Sequence, residues 1–474
     1  MKTLLLTIAL VCTINANAQS EPPGIIWNKD IAASVSSSFN PDSIVKLSDG
    51  SILIIGNIFG DSSIIPEITK VSSTGEKIWQ KTYPDLSNYY IFSGIVDNNG
   101  NIFAVLEGAS SSEASYVKLN SSGDFIWKKN VIIENYDTYI SRLEALSDNS
   151  ILMSLDFESE DGSGDESGFS FAKYDTNGNQ QWIKTKKYQN IPNSYGAAIS
   201  AKDGGFFIVG STAQVDGDEV GYIAKFDAQR NQLWEKEIDI NTVNDTYFYD
   251  AIVNTNGDLM IAGVYELNNG NENYFVSKIS SGGTEVWRKI YSLGLMDITA
   301  LKLIEFSPNE YTLAFESIGD DSSTRVGYLK KIDNAGNTVW EHSYKNEIFN
   351  GLVAFIDVIK TTDNNLLMLT KKYDNSDNVG AKYGLYKMGG SLAVADIKSK
   401  SVSIYPNPSS HFINIKLEPN ESISKYQLYN LSGQIIEEQK DPSSTISIKK
   451  LNSGTYIIKL YIGENIYTEK IIKN

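Results

Sequence analysis

Cysteine and histidine are almost missing from this chain. Of 474 residues one is cysteine, Cys12, and two are histidines, His342 and His411. Thiolates and imidazoles are the common ligands of zinc and copper, and imidazole is the usual base behind a serine or cysteine nucleophile. Two histidines far apart in sequence, one of them near the C-terminus, cannot build such a site. Only carboxylate chemistry is left open. Met1-Lys2, the apolar run from Leu4 to Val11, and Ala16-Asn17-Ala18 before Gln19 form the charged start, hydrophobic middle and small-residue cleavage pattern of a secretory signal peptide, residues 1–18. Cleavage after Ala18 removes Cys12, so the mature chain is expected to have no disulfide and to be held by its core. The bulky Val11 argues against Cys12 as a lipid-attachment site. No other stretch reaches the ~18 continuous apolar residues of a membrane helix, and none is expected in the mature chain.

Positive charge is scarce as well. Lys and Arg number 41 against 58 Asp and Glu, a net charge of −17. The excess of acid is uneven, since residues 398–474 carry 10 basic and 7 acidic residues and residues 1–397 carry 31 and 51. Such a field repels nucleic acid and anionic lipid, and no nucleic-acid partner is expected.

What the chain does have is a period. Trp27, Trp79, Trp127, Trp182, Trp234, Trp287 and Trp340 are separated by 52, 48, 55, 52, 53 and 53 residues, the spacing of a propeller or similar array. Lysine stands nine residues before six of them, at 70, 118, 173, 225, 278 and 331, and glycine four before five, at 75, 123, 178, 283 and 336. Within one unit four short β-rich runs, 196–201, 205–210, 221–227 and 232–238, are divided by turn residues such as Asp203-Gly204. Each unit therefore reads as a four-stranded antiparallel meander. Phe206-Phe207-Ile208-Val209 is apolar without alternation, so both faces of the sheet need cover and the units must stack. The repeated lysine is expected to rest its stem on the sheet and its ammonium on a turn carboxylate or carbonyl.

The two ends complete each other. After Trp340 a last unit runs to Lys387, but Asp396 stands where its tryptophan would be, while Gly24-Ile-Ile-Trp27 is a fourth strand without a first three. Pairing the two closes a seven-bladed β-propeller over residues 19–390 and removes its open sheet edges.

The D-x-x-G-x-x-x-W pattern of Asp175, Gly178 and Trp182, and again of Asp333, Gly336 and Trp340, resembles the tryptophan-docking motif of propellers in the pyrroloquinoline-quinone-like superfamily. Arg230 replaces the glycine in one unit. The quinone-binding members use adjacent cysteines and calcium, and with no mature cysteine the cofactor is not carried over. After a linker at 391–400, Ser403-Ile-Tyr405-Pro406-Asn407-Pro408, Leu428-Tyr-Asn-Leu-Ser-Gly433-Gln434, Leu451-Asn-Ser-Gly454-Thr-Tyr456 and Lys470-Ile-Ile-Lys473 resemble, in order, the type A C-terminal sorting domain of the type IX (Por) secretion system. The resemblance implies a small β-sandwich at 401–474, engagement by that machinery, a secreted or surface-attached product, and a Bacteroidetes-like source.

The two short turns of each unit fall on one face of the disc, so the longer connections share the other, where function is expected. Several connections are acidic, notably 156–166, and Asp161, Ser163 and Asp165 alternate like oxygen ligands of calcium. The bidentate Glu of a calcium loop is missing, and a solvated acidic loop explains the segment as well; no cofactor other than calcium is suggested. Connections between units are rich in tyrosine, at Tyr89, Tyr90, Tyr136, Tyr139, Tyr195, Tyr247 and Tyr249, with Tyr89, Tyr90, Tyr195 and Tyr247 as candidate ligand contacts, although packing at blade edges accounts for such rings equally. Nearer the axis the starts of the first strands are expected to offer Ser43, Ser93, Arg142, Asp250 and Asp357 to the channel mouth. Arg142 with Asp250 or Asp357 could hold an anion, serve a lyase or hydrolase, or simply pair, and pairing is the reading favoured. A binding module for glycan, peptide or protein is expected first, a carbohydrate-active enzyme second, and a structural spacer third.

Overall fold

Turn chemistry sets the sheet. In the computed structural model the first short turn of blade 4 places Gly204 at φ 81°, and glycine or asparagine takes the same left-handed conformation at Gly50, Gly100, Asn149, Gly257, Asn309 and Asn364. Only glycine and, less readily, asparagine accept this without cost. The structure describes residues 23–31, 38–389 and 403–474, except 61–62, 110–113, 160–165, 190–194, 214–218, 241–244, 268–269, 293–296, 319–324, 345–351, 374–381, 418–421, 431–434 and 463–464. The expected signal peptide, the linker and the Asp161, Ser163, Asp165 triplet lie outside these residues.

The chain forms two compact units, residues 1–392 and 393–474. Among the described residues the first holds seven four-stranded antiparallel sheets. Blades 1 to 6 span 38–82, 89–130, 136–189, 195–238, 246–291 and 297–344, and blade 7 joins 352–389 to 24–31. Consecutive first strands touch one another around the unit, and that of blade 7 touches that of blade 1, so the first strands surround the axis and the tryptophan strands form the rim. This is a closed β-propeller, and Gly24–Ile31 supplies the missing fourth strand by pairing with Lys382–Gly389.

The nine-residue spacing is a cross-strand pair. Lys70 faces Trp79, Lys225 faces Trp234, and the same partnership recurs in every blade, including Lys387 with Trp27. The lysine stems are largely buried and their ammonium groups end on turn oxygens: Lys173 on Asp148 at 2.6 Å, Lys225 on Asp203 at 2.8 Å, Lys387 on Asp363 at 2.6 Å. Blade 2 has Asn99 at that turn, and Lys118 instead reaches the Thr176 carbonyl of blade 3 at 2.7 Å.

Tryptophan then joins blades. The rings of Trp27, Trp79, Trp127, Trp234 and Trp287 lie on the turn glycine of the next blade, where a Cβ would come within 2.8 to 2.9 Å of ring atoms. Arg230 keeps the left-handed backbone, at φ 69°, and its guanidinium sits 5.0 Å from the centre of the Trp182 ring. Trp340 faces the composite blade, which has no such turn, and is buried against Met388 and Leu366.

The second unit pairs a three-stranded sheet, Ser403–Tyr405, Phe412–Lys416 and Thr445–Ser447, with a four-stranded one from Ile423–Tyr429, Ile435–Lys440, Gly454–Ile462 and Asn465–Lys473. Ile413, Ile415 and Ile446 of the first pack with Tyr426, Leu428, Ile458 and Leu460 of the second, making the expected sandwich.

Three expectations need correction. Tyr89, Tyr90, Tyr136, Tyr139 and Tyr247 lie in first strands rather than in the connections before them, because β-rich aromatic sequence extends the strands past the turn signals. Asp156 to Ser159 likewise belong to a strand, Ile151–Ser159, and not to the acidic loop. The axial residues Ser43, Arg142, Asp250 and Asp357 stand in mid-strand rather than at strand starts.

Candidate axial site

Six of the seven first strands carry a bulge or register shift, at Pro41/Ser43, Ile91/Gly94, Ile140/Arg142, Phe248/Asp250, Thr299/Lys302 and Phe355/Asp357. Only blade 4 runs regularly. A bulge re-aims side chains and raises local twist. Six residues before the first residue of each short turn stands one axial position, occupied in order by Ser43, Ser93, Arg142, Ala197, Asp250, Lys302 and Asp357. The ring thus carries two cations and two anions.

The acids are already engaged by the backbone. Asp250 accepts the Ala251 N–H on Oδ1 at 2.9 Å and the Leu303 N–H of blade 6 on Oδ2 at 2.8 Å. Asp357 repeats this with Val358 at 2.9 Å and with Ile44 of blade 1 at 2.9 Å. Each carboxylate therefore ties its blade to the next, and Asp357 does so across the closure of the ring. Lys302 approaches Asp357 at 3.7 Å and is held above the usual ammonium range by Asp357 first and Asp250 after it, against its own desolvation and Arg142. Asp357 thus pairs with Lys302 and not with Arg142.

Arg142 shares a cavity with Asp250. With Ser141, Asp156, Tyr249 and Asp250 it lines a cavity of about 130 Å³ between blades 3, 4 and 5. Asp156 accepts the Gly196 N–H at 2.9 Å, yet burial pushes its carboxyl up to about 7, with that bond and Ser141 opposing. Tyr249 is 44% exposed. Asp42, in the bulge of blade 1, is also raised to about 7 by burial, against a hydrogen bond from Asn57 and the charge of Lys371.

The candidate tyrosines separate into two kinds. Tyr89 packs in the core between blades 1 and 2 with Lys128 Nζ 3.9 Å from its ring centre, and Tyr247 packs between blades 5 and 6 while donating to Asp245 at 2.7 Å. These are packing residues. Tyr90 instead stacks on Phe92 at 5.7 Å and leans on Phe59 at 6.1 Å, at the end of the ring away from the short turns, with Phe92 37% exposed. Tyr195 opens the first strand of blade 4 opposite Ser211. Among the described residues no three Asp, Glu, His or Cys side chains are grouped to hold a metal ion.

The sequence reading missed Lys302 on the axial ring and Phe92 beside Tyr90. Lys302 hid because its turn, Pro308-Asn309, lacks the leading Asp or Asn that marks the others. Counting six back from that turn would have found it.

Residues 403–474 match the family of secretion system C-terminal sorting domains. An ulvan lyase of Nonlabens ulvanivorans is 38% identical over 87 residues, 18% of this chain and 16% of that enzyme. That match spans about a sixth of its relative. A solved polysaccharide lyase of family PL25, an ulvan lyase bound to -[GlcA(1-4)Rha3S]-, aligns at 11% identity and a TM-score of 0.50 over 76% of this chain and 96% of that one. The β-propeller domain of a Pyrococcus furiosus protease aligns at 9% identity and a TM-score of 0.46, over 76% of this chain and 96% of that one. The chain is a β-propeller protein that carries a type IX C-terminal sorting domain and is exported to the cell surface or the medium.

Proposed function

We propose that the propeller is a recognition module that binds an extracellular glycan, peptide or protein at the end of the ring away from its short turns. The observation that carries this reading is the aromatic group of Phe59, Tyr90 and Phe92 at that end, in which Phe92 is exposed and the other two rings are half-buried. Rings of this kind supply contact area at little entropic cost. Backbone N–H groups hold all four oxygens of Asp250 and Asp357, so the pair has a structural task in tying neighbouring blades that needs no ligand. Binding by the mature chain on a glycan and peptide array, lost when Tyr90 and Phe92 are both changed to alanine, is the expected result. An array without signal would reject the reading.

A second reading is favoured by one juxtaposition. Arg142 and Tyr249 line the same cavity, where a guanidinium could neutralise a uronate carboxylate while Tyr249, as phenolate, takes the proton on the carbon beside it. The bond from the next carbon to the glycosidic oxygen would break, and the phenol so formed would return the proton to that leaving oxygen. This would make a polysaccharide lyase, the activity named for the ulvan lyase of similar fold. Ultraviolet absorbance of unsaturated uronate after incubation with ulvan tests it, with Tyr249→Phe as control. Calcium at Asp161, Ser163 and Asp165 is tested by melting the chain with and without chelator.

A further inference from the structure

The short-turn face, opposite the aromatic group, has a feature that the binding reading does not use. Between blades 3 and 4 lies a groove of about 460 Å³, within the size range of small-molecule sites. Glu144, Asp148, Lys173 and Trp182 line it from blade 3, and Ser200 and Ala228 from blade 4. This is the junction at which Arg230, and not a glycine, covers the tryptophan of the preceding blade.

The polar groups of the groove are incompletely matched. Ser200 Oγ is buried without a hydrogen-bond partner. Glu144 accepts the Ser200 N–H on Oε2 at 3.1 Å, and its other oxygen receives no donor among the described residues. Trp234 and Trp287 donate their indole N–H to the carbonyls of Ser281 and Asn334 at 3.2 and 2.9 Å, whereas Trp182 finds no acceptor among the described residues. Lys173 is already bound to Asp148. The groove therefore presents one N–H donor, one carboxylate acceptor and a hydroxyl that can do either, beside aromatic surface. Of its two acids Asp148 is paired with Lys173 and Glu144 is not, and the Arg230 guanidinium lies on the Trp182 ring at the same junction.

That arrangement suits vicinal hydroxyl groups, each of which donates and accepts, and it disfavours uronate or sulfate. We propose that this junction is a second recognition site, for one neutral sugar residue, held by Trp182, Glu144 and Ser200. It is separate from the aromatic end of the ring, so the two can succeed or fail independently.

Saturation-transfer NMR on the mature chain with methyl α-mannoside, methyl β-galactoside, N-acetylglucosamine and glucuronate tests the proposal. At least one neutral sugar is expected to bind, with Kd on the order of 1 mM, and glucuronate is not. In a chain that already carries Tyr90→Ala and Phe92→Ala, so that the aromatic end contributes nothing, Ala228→Trp at an exposed rim position is expected to abolish the signal and Ser200→Ala to weaken binding about fivefold. Ser147→Trp blocks the opposite rim and serves if Ala228→Trp does not fold. Absence of binding by every neutral sugar, equal binding of glucuronate, or persistence of the signal in a folded rim variant would overturn it.

Discussion

Trp27 stands opposite Lys387 as Trp79 stands opposite Lys70, although 360 positions separate the first pair and nine the second. The composite blade thus reproduces a local pairing with residues from the two ends of the ring. Its sheet edge is closed by hydrogen bonds from Gly24–Ile31, and Asp357 adds a second tie to blade 1. A chain that begins after Ile31 leaves the edge of Lys382–Gly389 unpaired, an invitation to aggregation. Size-exclusion chromatography is expected to show multimers for this truncation and a single species for the intact chain.

Docking of tryptophan on glycine can be separated from the cost of a left-handed backbone. Gly123 has φ 80° and lies against Trp79, whereas Gly270 has φ 79° and nothing within 4 Å of a Cβ. Gly270→Ala is expected to cost about 1 kcal/mol from backbone strain alone. Gly123→Ala adds displacement of the ring and should exceed it by roughly 1–3 kcal/mol. Equal urea midpoints for the two variants would mean that the tryptophan does not press on its neighbour.

Arg230 makes the complementary case. Replacement by glycine removes strain of about 1 kcal/mol and a cation–π contact of roughly 0.5–1 kcal/mol, so Arg230→Gly should leave the melting temperature nearly unchanged. Arg230→Val keeps neither the contact nor a tolerable backbone and should lower it by several degrees.

Burial of Asp156 predicts the sign of a pH effect. Its folded value is raised to about 7, above an unfolded value of about 3.9, so the folded chain favours the protonated form. The penalty is absent below about pH 4, grows as pH rises, and is complete above about 7. Asp156→Asn should match the parent chain at pH 4 and be more stable at pH 8, by at most on the order of 3–4 kcal/mol. Thermal melts at the two pH values check this. Asp148 works in the opposite sense: its hydrogen bond with Lys173 holds it at about 2, so its contribution is present above about pH 4 and fades as pH falls toward 2.

The repeat made the scaffold legible because every blade needs the same lysine, tryptophan and turn, and a requirement met seven times is visible in one sequence. The closure of the ring was legible for the same reason, from Trp27 and the missing partner at Asp396. The axial ring was only half legible. Arg142, Asp250 and Asp357 stand out as charges in apolar strands, but Lys302 follows an atypical turn, and no local pattern tells that backbone N–H groups of the next blade occupy both acids. Tyr89 and Tyr90 are neighbours in sequence, yet strand alternation sends one into the core and the other to the stack with Phe92. Sequence composition cannot make that distinction without the register.

The most direct measurement is the affinity of the mature chain for its strongest array ligand, compared with the Tyr90→Ala, Phe92→Ala double variant at equal thermal stability. The recognition reading predicts a loss of tenfold or more, about 1.4 kcal/mol, with the fold unchanged. Unchanged affinity in the double variant would contradict recognition at the aromatic end of the ring.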